Sequence, residues 1–96
     1  MPRPRNRRRV CCTPKSYIYK PAGIKASELN YQILTLEEFE AIRLRYVEDM
    51  QQIDCAEKMQ TSQSTFQRIL ASALKKTATA LANGDALKIE ETNKDL

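Results

Sequence analysis

Apolar and polar positions alternate along this chain in a way that predicts three helices framed by short extended segments. The clearest signal begins at Leu34-Thr35-Leu36-Glu37-Glu38-Phe39. Thr35 can cap a helix, and Glu38, three residues on, can reach back to the Thr35 amide, which is a capping box. Leu34 before the cap and Phe39 after it can close as a hydrophobic staple. Phe39, Ile42 and Tyr46 then recur at helical spacing, so the first helix should run over 36–47. A second fits 52–59: Ile53, Ala56 and Met59 lie three apart, Met50 can anchor ahead of them, and Gln51 is a weak cap. The third opens on Ser62, a strong cap residue, and spans 63–82. Its apolar stripe is Phe66, Ile69, Leu70, Ala73, Leu74 and Leu81. Asn83-Gly84 should end it, because glycine takes the left-handed conformation freely.

Outside the helices the pattern is shorter. Tyr17-Ile18-Tyr19 reads as extended and is broken by Pro21 and Gly23. Ser27 to Asn30 suits one helical turn, Gln32 to Leu34 a second extended piece, and Ala86 to Ile89 a short strand. The expected fold is therefore mainly α, with short extended segments on the N-terminal side and a short C-terminal strand. The 96 residues support a single domain. It should cover 17–89, between a flexible basic arm over 1–16 and a disordered tail over 90–96.

Charge sharpens this picture. Residues 1–25 carry +8 with no acid, 26–60 carry −5, 61–89 carry +3 and 90–96 carry −2. Two basic regions thus flank an acidic middle, as in a protein that touches a polyanion at two places while its scaffold does not. No apolar run approaches the roughly 18 residues of a membrane span. No apolar segment follows the charged start, so a secretory signal is not expected, and the cytoplasm is the default compartment. Cys11 and Cys12 are adjacent, and Cys55 stands alone. That spacing does not suit a zinc tetrahedron, so reduced thiols and no metal or other cofactor are expected. With no histidine, no glycine-rich phosphate loop and no nucleophile–base pair, the chain does not read as an enzyme.

The second and third helices, joined through Gln60-Thr61, have the spacing of a helix-turn-helix. Ala56 is the small residue that lets the two approach, and Ile53, Met59, Phe66 and Ile69 are the expected apolar anchors. Opposite Phe66 and Ile69, the start of the third helix presents Gln63, Ser64, Gln67 and Arg68. Arginine pairs with guanine O6/N7 and glutamine with adenine N6/N7, so these four are the candidate base-reading residues. Thr61, Ser62 and Thr65 can donate to phosphate beside the helix N-terminus. Lys75 and Lys76 should face backbone, and the arm residues Arg3, Arg5, Arg7, Arg8 and Arg9 a groove or phosphates.

The expected partner is double-stranded DNA and the expected role transcription regulation. Two alternatives stay open: an RNA-polymerase-associated module using the acidic Glu37, Glu38, Glu40, Glu48 and Asp49, and RNA binding through the arginine arm. A homodimer also stays open. Ala73 to Leu81 offers more apolar surface than the motif needs, and could cover either Tyr17–Leu34 or a second subunit.

Several blocks resemble a known family. They are Met1-Pro2-Arg3-Pro4-Arg5 with Arg8-Arg9-Val10-Cys11, Lys20-Pro21-Ala22-Gly23-Ile24, Leu34 to Leu44, Ala56-Glu57-Lys58-Met59, Ser62 to Leu70, and Ala82-Asn83-Gly84 with Ala86-Leu87. In that order they resemble uncharacterised protein family 0251 (domain of unknown function 134), small prokaryotic proteins predicted to bind DNA. Its helical part resembles region 4 of the main bacterial sigma factors, where the matching helix enters the major groove. The resemblance implies a helix-turn-helix of sigma region 4-like or winged-helix-like type, with Gln63, Ser64, Gln67 and Arg68 facing bases. Gln60 stands where the family usually has a turn glycine, Gln51 where it has serine, and Ile53 and Cys55 where it has Glu and Ala.

Overall fold

The computed structural model describes Pro14 and residues 17–90. The arginines at 3, 5, 7, 8 and 9, the Cys11-Cys12 pair and the expected tail from 91 onward lie outside the described residues. Strand β1 spans Ile18–Tyr19 and β2 Tyr31–Thr35, with a 3-10 turn over Ala26–Glu28 between them. Helix α1 spans Leu36–Ile42 and runs directly into a π-helical turn over Arg43–Val47. Helix α2 covers Gln52–Lys58, α3 Gln63–Asn83, and β3 Ala86–Glu90.

The capping box at Thr35 sets where the helical part begins. Thr35 Oγ1 accepts from the Glu38 amide at 3.1 Å, and Glu38 Oε1 accepts from the Thr35 amide at 3.0 Å. Leu34 and Phe39, the expected staple, pack in the same apolar cluster. The first helix then departs from regular α geometry. The Glu48 amide reaches the Arg43 carbonyl at 2.9 Å, five residues back, and Asp49 follows with φ +59°. This wider turn buries Leu44 and leaves Tyr46 half exposed at 52%. Tyr46 therefore does not continue the apolar stripe expected of it.

The turn between α2 and α3 is closed by backbone hydrogen bonds. The Gln60 amide donates to Glu57 O and the Thr61 amide to Ala56 O, both at 3.0 Å, with Gln60 at φ +59°. This is a Schellman cap, with glutamine in the left-handed position that glycine usually fills. Gly84 (φ +75°) plays the same part at the end of α3, where the Gly84 and Asp85 amides both reach Ala80 O.

Two apolar clusters hold the elements together. One joins Ala41, Leu44, Cys55, Ala56, Met59, Phe66 and Leu70 from α1, the π turn, α2 and α3. The other joins Leu34, Ala73 and Ile89, tying α3 to the sheet. Ile53 is not among the anchors. It is 59% exposed, while Cys55, two residues on, is fully buried. On a helix these positions point about 200° apart, so only one can face α3.

The sheet order is β1-β3-β2, with β3 antiparallel to β1 and parallel to β2. The last described strand is thus central, flanked by segments from the N-terminal side. Gln32 Nε2 donates to Asp85 Oδ2 at 3.1 Å, holding the start of β3 against β2. The molecule is a mainly helical helix-turn-helix domain, completed by a small three-stranded sheet. No helix of the described residues is long and apolar enough to cross a membrane.

Candidate nucleic-acid interface

Helix α3 is 21 residues long and supplies both core and surface. Phe66 is fully buried and Leu70 nearly so, fixing the rotation of the helix about its axis. That rotation turns Gln63, Ser64, Gln67 and Arg68 to solvent as one exposed patch at its N-terminal end. These positions recur at i, i+1, i+4 and i+5, so their side chains form two adjacent rows.

Ser62 caps the helix as its sequence position predicts. Its hydroxyl accepts from the Thr65 amide at 3.1 Å and donates to Thr65 Oγ1 at 2.9 Å, with Ser64 Oγ 3.4 Å away. Three hydroxyls therefore cluster over the first turn, beside amides that lack an intrahelical acceptor. Thr61 is half-buried in the turn just ahead. The cluster is equipped to donate to an anion, and the helix dipole favours negative charge there.

Arg68 and Lys75 continue along the exposed face about one and three turns beyond Ser64, and neither has an ion-pair partner among the described residues. Lys76 points elsewhere. Its ammonium donates to the Ile33 carbonyl at 2.7 Å and to Glu38 Oε1 at 2.9 Å. It is thus a structural cation joining α3 to β2 and α1, and its expected place against a DNA backbone is not where the fold holds it. Ser72 adds a bond to Glu38 Oε2 at 2.6 Å, making Glu38 the meeting point of three elements.

The acidic middle of the chain is also divided by the fold. Glu38 and Glu40 are buried, Glu40 under a two-toothed pairing with Arg43 at 3.0 Å, whose guanidinium also reaches Glu48. Of the five acids read as a docking face, these two are internal, so that face is not continuous.

One contact at the patch was not anticipated. Gln67 Nε2 donates to Gln52 Oε1 at 2.9 Å, linking the exposed face of α3 to the first residue of α2. Gln52 sits beside a weak cap residue and gives no local signal of this role. Only the packing of α2 across α3 reveals it.

Comparison with known proteins places the chain among relatives. The model of a family described as a protein of unknown function, DUF134, matches residues 1–95. The chain belongs to the DUF134 family. Within it, the UPF0251 protein of Pelotomaculum thermopropionicum is 53% identical over 93 residues, covering 97% of this chain and 70% of that relative. The UPF0251 protein of Thermoanaerobacter pseudethanolicus is 47% identical over 93 residues, with 97% and 79% covered. A UPF0251 protein of Clostridium botulinum is 46% identical over 89 residues, with 93% of this chain and 57% of the relative covered. No solved structure matches.

Proposed function

We propose that this DUF134 protein binds double-stranded DNA sequence-selectively, as a cytoplasmic transcription regulator rather than an enzyme, with the start of α3 seated in the major groove. The observation that carries this reading is the exposed patch of Gln63, Ser64, Gln67 and Arg68 at the N-terminal end of a helix anchored by buried Phe66. A recognition helix needs such a polar, protruding first half, backed by a rigid apolar one. Arg68 matches the guanine edge and the glutamines match adenine. The Ser62, Ser64 and Thr65 hydroxyls, Thr61 and Lys75 supply neutral and charged phosphate contacts. The arginines of residues 3–9 add sequence-independent attraction that strengthens at low salt.

Selection from randomised duplexes, followed by anisotropy titration over a salt series, tests the reading. Arg68→Ala should weaken the selected site by about tenfold or more while changing random DNA far less. Deleting residues 1–9 should weaken both and flatten the salt dependence. A protein indifferent to every duplex at low ionic strength would overturn the proposal. Preference for structured RNA in competition would move the function to the arm.

A further inference from the structure

An amide can read adenine only if its oxygen and nitrogen face the right way. A surface glutamine ordinarily samples both orientations and several rotamers. Gln67 is not in that situation. One hydrogen of its Nε2 is held by Gln52 Oε1 at 2.9 Å, across the α2–α3 junction. Gln52 is half-buried at the start of α2, whereas Gln67 is exposed, so the less mobile partner orients the freer one.

We propose that Gln52 is a positioning residue that sets the orientation of the Gln67 amide, making Gln67 an adenine reader. The inference rests on the DNA-binding reading above. With one N–H engaged by Gln52, Gln67 keeps Oε1 as an acceptor and a second N–H as a donor. Adenine presents N6–H as donor and N7 as acceptor in the major groove, so the two remaining groups match its edge. Guanine offers O6 and N7, both acceptors, and would leave Gln67 Oε1 facing an acceptor. Cytosine offers a donor alone, and thymine an acceptor beside a methyl. Holding the amide beforehand also lowers the ordering cost at the moment of binding. Gln52 itself need not touch a base.

The test compares Gln52→Leu, Gln52→Glu and Gln67→Ala in selection from randomised duplexes and in titrations on the selected site. A carboxylate at 52 can only accept, so Gln52→Glu should keep Gln67 Nε2 turned toward it and retain the adenine preference. Its added charge should weaken binding to all sequences alike. Leucine cannot accept, so Gln52→Leu should lose adenine discrimination at one position by about fivefold or more. It should do nothing further to that discrimination in a Gln67→Ala background. Unchanged melting temperatures would show that the variants are folded. A wild-type protein with a clear site whose preference survives Gln52→Leu overturns the role of Gln52 alone. Equal loss in the Leu and Glu variants does the same. A wild-type protein with no base preference overturns this inference together with the reading it rests on.

Discussion

Gln60 and Cys55 both meet constraints set by their immediate surroundings. Gln60 holds φ +59° in the turn of the helix pair, a conformation costing a side-chain-bearing residue roughly 1 kcal/mol. Gln60→Gly should therefore raise stability by about 0.5–1 kcal/mol, read as a higher denaturant midpoint. An unchanged or lower midpoint would mean the glutamine side chain makes a compensating contact. Cys55 is fully buried, and burial pushes its thiol up; neighbouring Arg45 opposes the shift and Asp54 adds to it. Below the ordinary thiol value of about 8.5 the folded and unfolded chains are both protonated there. As pH rises past that value the unfolded chain loses the proton first. It then binds fewer protons than the native state, and stability falls. Denaturant unfolding from pH 7.5 to 10 should show this decline in the wild type. A Cys55→Ala variant should lack that component, and identical pH slopes would remove Cys55 as its source.

Among the elements, α1 is the one whose local and long-range roles coincide in a single residue. Glu38 closes the capping box, receives Lys76 and accepts from Ser72. Glu38→Ala should cost about 2 kcal/mol, because it removes an N-terminal capping partner and leaves a half-buried ammonium with one bond fewer. Glu38→Gln should cost less, since an amide can still complete the box; the loss that Glu38→Gln itself shows against the wild type is the ionic part. Equal losses in chemical denaturation would show that the charge, and not the capping hydrogen bond, carries the contribution. The capping half of this was legible in the chain, where Thr35 and Glu38 are three residues apart. The pairing with Lys76 was not, because its partner lies 38 residues away and no periodicity spans that distance. The starts of all three helices, and the ends of α2 and α3, followed from local caps, apolar spacing and turn residues. The π turn over Arg43–Val47 did not, and with it went the expected burial of Tyr46.

At the scale of the whole molecule, the sheet binds the two ends of the described chain around the helices. The central position of β3 makes it the strand on which both others depend. Ending the chain after Gly84 should expose Leu34 and Ala73, which pack with Ile89, and abolish cooperative thermal unfolding followed by circular dichroism. A sharp transition at the original midpoint would show that the helices suffice alone. The same packing answers part of the question raised by the apolar second half of α3. Ala73 and Ala80 are buried, whereas Leu74 and Leu81 stay exposed at 38% and 79%.

The amino-acid sequence by itself determined where the three helices start and where α2 and α3 stop, which face of α3 is polar, and that strands flank the helical unit. Each of these depends on hydrogen bonds or apolar spacing within a few residues. Only the tertiary structure decided that Cys55 rather than Ile53 enters the core, that Lys76 is spent on Glu38 while Lys75 stays free among the described residues, and that Gln52 holds Gln67. Those outcomes depend on how α2, α3 and β2 meet. Side chains far apart in the chain compete there for the same space and the same hydrogen-bond partners, and local pattern carries no record of that competition.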